Sequence, residues 1–306
     1  MTTRRSYLLS GIGAFFSFPF LKTNIPRLFF LPEESVDLAI VRSEDIEANV
    51  RAAVEALGGI RAFVKPGHIV FLKPNVSFPT PPEWGATTHP VVIRTMAAMC
   101  MEAGARRVIV ADFPMSRPRQ CFERSGMQEL ADTCRDFTFL ELKEESQFEN
   151  VPVPEGLEVK DLAIPKALLK SDVFINLPTA KSHSATDVSF GLKNLMGLFW
   201  DRRRFHQPLN LHQAIVDLAT ILKPHLTIMD ATYLLLTNGP QGPGKTEYAR
   251  TIVAGKSPLA VDAMTCSLAE WNNRITPPER VRHLVLAAER GLGTLDVTQL
   301  RVFRKG

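Results

Sequence analysis

Residues 176–197 read NLPTAKSHSATDVSFGLKNLMG and carry Lys181, His183, Lys193 and Asn194 among small and hydroxylated residues. An interior segment has no use for two lysines and a histidine between Gly, Ser and Ala. A solvated loop has none for Phe190, Leu192, Leu195 and Met196. The mixture predicts a pocket wall, in which apolar anchors fix the backbone and a few polar groups converge on a ligand. The chemistry on offer is that of an anion site. Lys73, Lys181 and Lys193 would neutralise negative charge, and His183 is the candidate general acid or base, because its ordinary pKa lies nearest working pH. A lysine whose pKa is depressed by the others could instead act as a Schiff-base nucleophile.

Such groups need a scaffold, and the chain alternates strand-like with helix-like runs. Residues 36–41, 69–72, 108–111, 137–142, 173–176, 226–229 and 251–254 read as strands. Residues 45–57, 89–103, 122–134, 209–222, 258–270 and 278–290 read as helices. Ser43 is a candidate N-cap for the first helix, Pro90 suits a first helical position, and Ser257-Pro258 is a cap and first-position pair. Residues 144–170 are acidic, contain prolines and have no clear period. The alternation predicts an α/β fold: a mostly parallel sheet with helices on both faces, in three layers.

Four of these strands end in polar residues. The strand at 69–72 runs into Lys73-Pro74-Asn75, that at 108–111 into Asp112, that at 173–175 into Asn176, and that at 226–229 into Asp230. Ligands of open α/β sheets bind outside the carboxyl ends of the strands. One such residue would mean only that a strand meets a turn. Four of them, with Lys181 and His183 beyond the third, predict a shared site. Asp112 or Asp230 would orient His183, and Asn75, Asn176 and Asn194 would supply fixed polar contacts. Thr87-Thr88-His89-Pro90 opens a helix, where either Thr88 caps the end or the N–H groups hold a carboxylate or phosphate beside His89. Asn238 stands at the root of a Gly/Pro-rich turn.

Two sequence signals invite other readings. Residues 239–246, GPQGPGKT, match the phosphate-binding pattern G-x-x-x-x-G-K-[ST]. Pro240 and Pro243 have no N–H to offer a phosphate, and no helix follows, so a turn or lid beside the pocket fits better. His183, His206 and His212 are candidate metal ligands, although the six-residue step from His206 to His212 is not a helical pair. His68, His225 and His283 read as turn or surface residues.

Residues 1–30 stand apart. Arg4-Arg5 precedes an apolar run, residues 7–21, and the segment has no acid. This is the pattern of a twin-arginine export signal, which makes the twin-arginine translocase an expected partner. The run is shorter than the ~20 residues that cross a bilayer comfortably. No clean cleavage site follows, so an uncleaved anchor stays open and the expected location is periplasmic or otherwise extracytoplasmic. The net charge of +4 comes from Arg4, Arg5, Lys22 and Arg27 in this segment, which leaves the remainder balanced at 32 basic and 32 acidic residues. Nucleic-acid binding therefore loses its electrostatic support. The Arg202-Arg203-Arg204 cluster is either a solvated loop or an anion clamp. No linker or repeat divides residues 31–306, which read as one α/β domain. The four cysteines form no C-x-x-C pair, and Cys121 with Cys134 could form a disulfide after export.

Taken together, Leu72-Lys73-Pro74-Asn75, Thr87-Thr88-His89-Pro90, residues 102–112, Asn176-Leu177-Pro178 with Lys181 and His183, Gly191-Leu192-Lys193-Asn194 with Met196-Gly197, Asn238-Gly239-Pro240, and residues 258–262 resemble the family called domain of unknown function 362 (DUF362). The resemblance spans about residues 39–269. It implies a fold and a site rather than a reaction. Some relatives carry a ferredoxin-like iron–sulfur segment, whose cysteines are lacking here. Members that resemble this chain often carry a twin-arginine signal. The leading expectation is an exported enzyme acting on a small anionic compound. A metal- or cofactor-loaded exported protein and a non-catalytic anion-binding protein are the alternatives. The cofactor is left unknown.

Overall fold

The computed structural model describes residues 36–115, 117–201 and 210–306. The segment expected to be an export signal, Arg202 to Arg204 and His206 lie outside the described residues.

The strands are β1 (Leu38–Arg42), β2 (Ile69–Pro74), β3 (Arg107–Val110), β4 (Thr138–Phe139), β5 (Phe148–Pro152), β6 (Asp161–Pro165), β7 (Val173–Leu177), β8 (Thr179–His183), β9 (Asp187–Ser189), β10 (Leu226–Leu235), β11 (Thr246–Gly255) and β12 (Val302–Lys305). The main sheet runs β12-β1-β11-β10-β7-β2-β3-β4, with β8 beside the far half of β10 and β9 folded back on β8. Pairing is parallel from β10 through β7, β2 and β3 to β4, and between β1 and β12. It is antiparallel where β11 meets β1 and β10. The mostly parallel sheet thus has an antiparallel insert. β11 begins at Thr246, five residues before the expected start, because residues 236–245 are a hairpin turn back from β10.

Period-two alternation assigns each strand residue to a face. Val70 and Leu72 of β2, Val173 and Ile175 of β7, and Ile252 and Ala254 of β11 face one core. Phe71, Phe174 and Val253, the residues between them, face the other. The first core is covered by α1 (Ile46–Ala56), α2 (Pro90–Glu102), α3 (Pro118–Arg124) and α4 (Met127–Thr133). The second is covered by α5 (Lys166–Leu169), α6 (Gly191–Asn194), α7 (Leu211–Ile221), α8 (Pro258–Cys266) and α9 (Arg282–Glu289). These are the three layers that the alternation predicts.

Local differences from the sequence reading have local causes. Asp45, not Ser43, caps α1, accepting from Ala48 N at 3.0 Å, while Ser43 donates to Asn49. The single helix expected over 122–134 is two, broken where Gly126 takes a φ of 75°. Part of the ambiguous acidic stretch is the β5–β6 hairpin. The loop between its strands is fastened by Asp217 of α7, whose Oδ2 accepts N–H bonds from Leu157, Glu158 and Val159 at 2.7–2.9 Å. None of the four cysteines is in a disulfide. Cys121 is buried in α3, and Cys134 points its thiol at Asp136, so the suggested disulfide is not formed. Among the described residues no helix is long and apolar enough to cross a membrane.

Candidate functional site

The carboxyl ends of β2, β3 and β7 meet under the short helix α6 (Gly191–Asn194) and the 3-10 turn Leu195–Leu198 that continues it. Here Lys73 is fully buried. Its Nζ lies 2.8 Å from Asp112 Oδ1 and donates to Pro74 O at 2.8 Å and Asn194 Oδ1 at 2.9 Å. The buried ammonium is thus held by two hydrogen bonds and by its ion pair with Asp112. Asp112, equally buried, uses its other oxygen to accept from Val76 N at 2.7 Å. Removing one partner from a buried pair leaves an uncompensated charge, at a cost of about 3–5 kcal/mol. Lys73 and Asp112 are therefore structural groups one layer behind the site.

Asparagines extend this floor forward. Asn194 Oδ1 also accepts from Asn75 Nδ2 at 2.8 Å, and its Nδ2 donates to Asn176 Oδ1 at 2.9 Å. Asn176 in turn donates to Gly191 O at 3.0 Å. Asn75 Oδ1 accepts from Lys181 Nζ at 3.0 Å. The start of α6 is held by Asp262 of α8, which accepts from Gly191 N at 2.7 Å and Leu192 N at 2.9 Å. Burial pushes the Asp262 carboxyl up to about 7, against the pull of these two N–H groups. Gly197 is needed for a steric reason: a Cβ there would lie 2.5 Å from Lys73 Nζ.

β7 continues through Pro178 into β8, which keeps Thr179, Lys181 and His183 on one face. Lys181 and His183 line a cavity of about 460 Å³ with Asn75, Lys193 and Asn194. Phe78, Met115, Met196 and Leu211 supply apolar wall, and Pro240 of the Gly/Pro turn stands at its edge. The described lining residues include two lysines and no carboxylate. Lys181 is 1 % exposed. Its Nζ donates to Ala86 O at 2.6 Å as well as to Asn75, and no third acceptor among the described residues completes an ammonium. Its Nζ lies 5.3 Å from the centre of the Phe78 ring. Desolvation first, then Lys193, lowers its pKa to about 7, with Asp112 opposing and Lys73 assisting. Lys181 is thus an amine that is partly neutral near neutral pH.

His183 Nδ1 accepts from Ala185 N at 3.0 Å, which assigns the ring proton to Nε2. Burial, then Lys193 and Lys181, lower its pKa to about 3, so it is a neutral N–H donor rather than an imidazolium. His283, read from sequence as a surface or turn residue, is instead fully buried in α9. It stacks on His212 with ring centres 5.9 Å apart, and neither of its ring nitrogens has a hydrogen-bond partner among the described residues. Burial, then His212, holds it at about 3. Among the described residues no three His, Cys, Asp or Glu side chains gather to hold a metal ion, so His183 and His212 lack a third ligand there.

Other predicted residues sit away from the cavity lining. Asp230 accepts from His89 N at 2.7 Å and Thr232 N at 3.0 Å, and so ties β10 to α2. His89, not Thr88, caps α2, accepting from Val91 N. Thr88 bridges two strand ends, accepting from Asn75 N and donating to Leu177 O. Asn238 takes a left-handed φ of 55° and donates to Pro243 O within its own turn. Phe78, Met115, Ser189 and Leu211 line the cavity without any spacing signal that marks them. Ser189 was findable in part, since it pairs with Lys181 across the β8–β9 hairpin.

Three comparisons with known proteins each find a match. The profile of the family described as domain of unknown function (DUF362) matches residues 70–267. A thylakoid-associated protein of Synechocystis sp. is 25% identical over 268 residues, covering 84% of this chain and 79% of its own. Among solved structures, the lactate racemase apoprotein from Thermoanaerobacterium thermosaccharolyticum is similar at a TM-score of 0.42 and 16% identity, over 66% of this chain and 52% of that one.

Proposed function

This chain belongs to the DUF362 family, and from that premise we propose that it is an exported enzyme acting on a small anionic compound in the Lys181–Lys193 cavity. The observation that carries the reading is the buried amine of Lys181, which has two acceptors, a depressed pKa and a cationic neighbour. A protein that only captured anions would gain by keeping this lysine charged. Lowering it to about 7 surrenders charge and yields a base or nucleophile, as reactive-site lysines do. Lys193 supplies the positive charge for the anion, and Asn75 and Asn194 present fixed dipoles. His183 offers an Nε2–H to a developing negative charge.

Binding is tested by thermal unfolding with inorganic phosphate, acetate and pyruvate at constant ionic strength, in wild type and Lys193→Ala. The expected result is a rise in Tm with at least one of these anions that Lys193→Ala loses. Equal shifts in the two proteins, or none, would overturn the reading. Export by the twin-arginine route rests on Arg4-Arg5 and the acid-free apolar run after them. The name of the Synechocystis relative, which associates it with thylakoids, supports a membrane-directed role. Replacing Arg4 and Arg5 with lysine should keep the folded protein in the cytoplasm. Unchanged fractionation would refute this route.

A further inference from the structure

We propose that Lys181 forms a Schiff base and that the substrate class is a short 2-oxo acid. This rests on the anion-site reading above and adds the carbonyl. The lysines of the site divide by their partners. Lys73 is paired with the Asp112 carboxylate and donates to Pro74 O and Asn194 Oδ1. Lys181 has two acceptors, Asn75 Oδ1 and Ala86 O. Those two bonds suit an amine with two hydrogens and leave its remaining position, on a cavity-lining residue, for a lone pair. Lys193 lines the same space and can take a carboxylate. Phe78, Met115 and Met196 offer a small apolar wall for the rest of the molecule.

A carboxylate on Lys193 places an adjacent carbonyl carbon towards Lys181. The Nζ lone pair adds to that carbon, the carbonyl π pair moves to oxygen, and one of the two protons on the now cationic nitrogen passes to that oxygen, giving a neutral carbinolamine. The freed nitrogen lone pair then expels the hydroxyl group, which leaves as water after taking one proton from solvent, and a protonated imine remains. One water is released, and no oxidant or reductant is consumed. The neutral His183 Nε2–H can hydrogen-bond the carbonyl oxygen as charge gathers there.

The test is reductive trapping. Full-length protein is incubated with pyruvate and cyanoborohydride, and the adduct is located by peptide mass mapping. Thermal shifts with pyruvate and with lactate are measured on the same samples. The expected result is one adduct per chain at Lys181, absent in Lys181→Met. Lactate, which lacks the carbonyl, should protect Lys181 from trapping in wild type without being trapped itself. This second arm needs no variant, so a misfolded Lys181→Met does not weaken the test. A pyruvate-induced thermal shift without an adduct at Lys181, or with adducts spread over exposed lysines, would overturn the Schiff base and leave the anion site standing. No thermal shift with pyruvate and no adduct would overturn the 2-oxo acid, and would overturn the anion site as well if phosphate and acetate also give no shift.

Discussion

Gly197→Ala should destabilise the protein, although the same substitution in a helical turn usually helps. Gly197 lies in the 3-10 turn Leu195–Leu198 and does not need a left-handed φ. Replacing such a glycine normally gains ~0.4–1 kcal/mol by reducing the freedom of the unfolded chain. Here the added methyl would stand 2.5 Å from Lys73 Nζ and 2.8 Å from Lys73 Cε, and would collide with Asp112 Oδ1. Both side chains are wholly buried, so neither can swing into water. Separating the pair costs about 3–5 kcal/mol, which exceeds the chain-entropy gain and leaves a net loss of roughly 2–4 kcal/mol. Urea unfolding at pH 7, followed by circular dichroism, measures the loss as a lower midpoint. Asp112→Asn breaks the same pair without added bulk, so the double variant should lose much less than the two single losses together. A Gly197→Ala protein as stable as wild type, or strict additivity with Asp112→Asn, would refute the reasoning that this glycine exists to seat the ion pair.

Other expectations follow from the same geometry. His183 and His283 are held at about 3 when folded, against 6.5 ordinarily. Between those values the unfolded chain binds more protons, so stability should fall as the pH drops from about 6.5 towards 3. His283→Leu should flatten that acid limb in pH-dependent urea melts, and at pH 7 it should be neutral or stabilising, because neither ring nitrogen has a partner to lose; an unchanged acid limb would count against the buried-imidazole account. Asp217→Asn replaces a carboxylate oxygen that accepts three N–H groups and should cost on the order of 1.5–3 kcal/mol. Limited proteolysis should show faster cleavage at residues 153–160, and an unchanged cleavage pattern would contradict that anchoring role. Asp262→Ala should loosen the start of α6 and reduce the anion-dependent thermal shift through Lys193, with hydrogen exchange at Gly191 and Leu192 accelerated; unaltered exchange there would dismiss it.

The α/β layering was legible because period-two and period-3.6 patterns are local, and the residues that follow each strand mark the carboxyl edge. Lys181, His183, Lys193, Asn194 and Asn75 were found by type and position, and the fold brings all five to one cavity. The alternation along β8 explains why Lys181 and His183 arrive together. What type and position do not carry is the partner of each group. Lys73 and Lys181 both sit at carboxyl-edge positions as lysines, yet Asp112 from another strand fixes one as a structural cation. Among the described residues the other has two neutral acceptors, Asn75 Oδ1 and Ala86 O, and no carboxylate partner.

The remaining differences have the same origin. Asp230 was expected at a strand end but lies within β10, which runs on to Leu235, and its oxygens accept from the backbone N–H groups of His89 and Thr232 instead of facing the cavity. His283 looks like a surface residue among the charges of its helix, and only the packing of α9 on α7 buries it against His212. Sequence by itself determined the family, the layers and which polar residues gather at the sheet edge, since these depend on local pattern. Tertiary structure alone decided which of those residues keep their charge, because protonation depends on burial and on neighbours that come from distant parts of the chain.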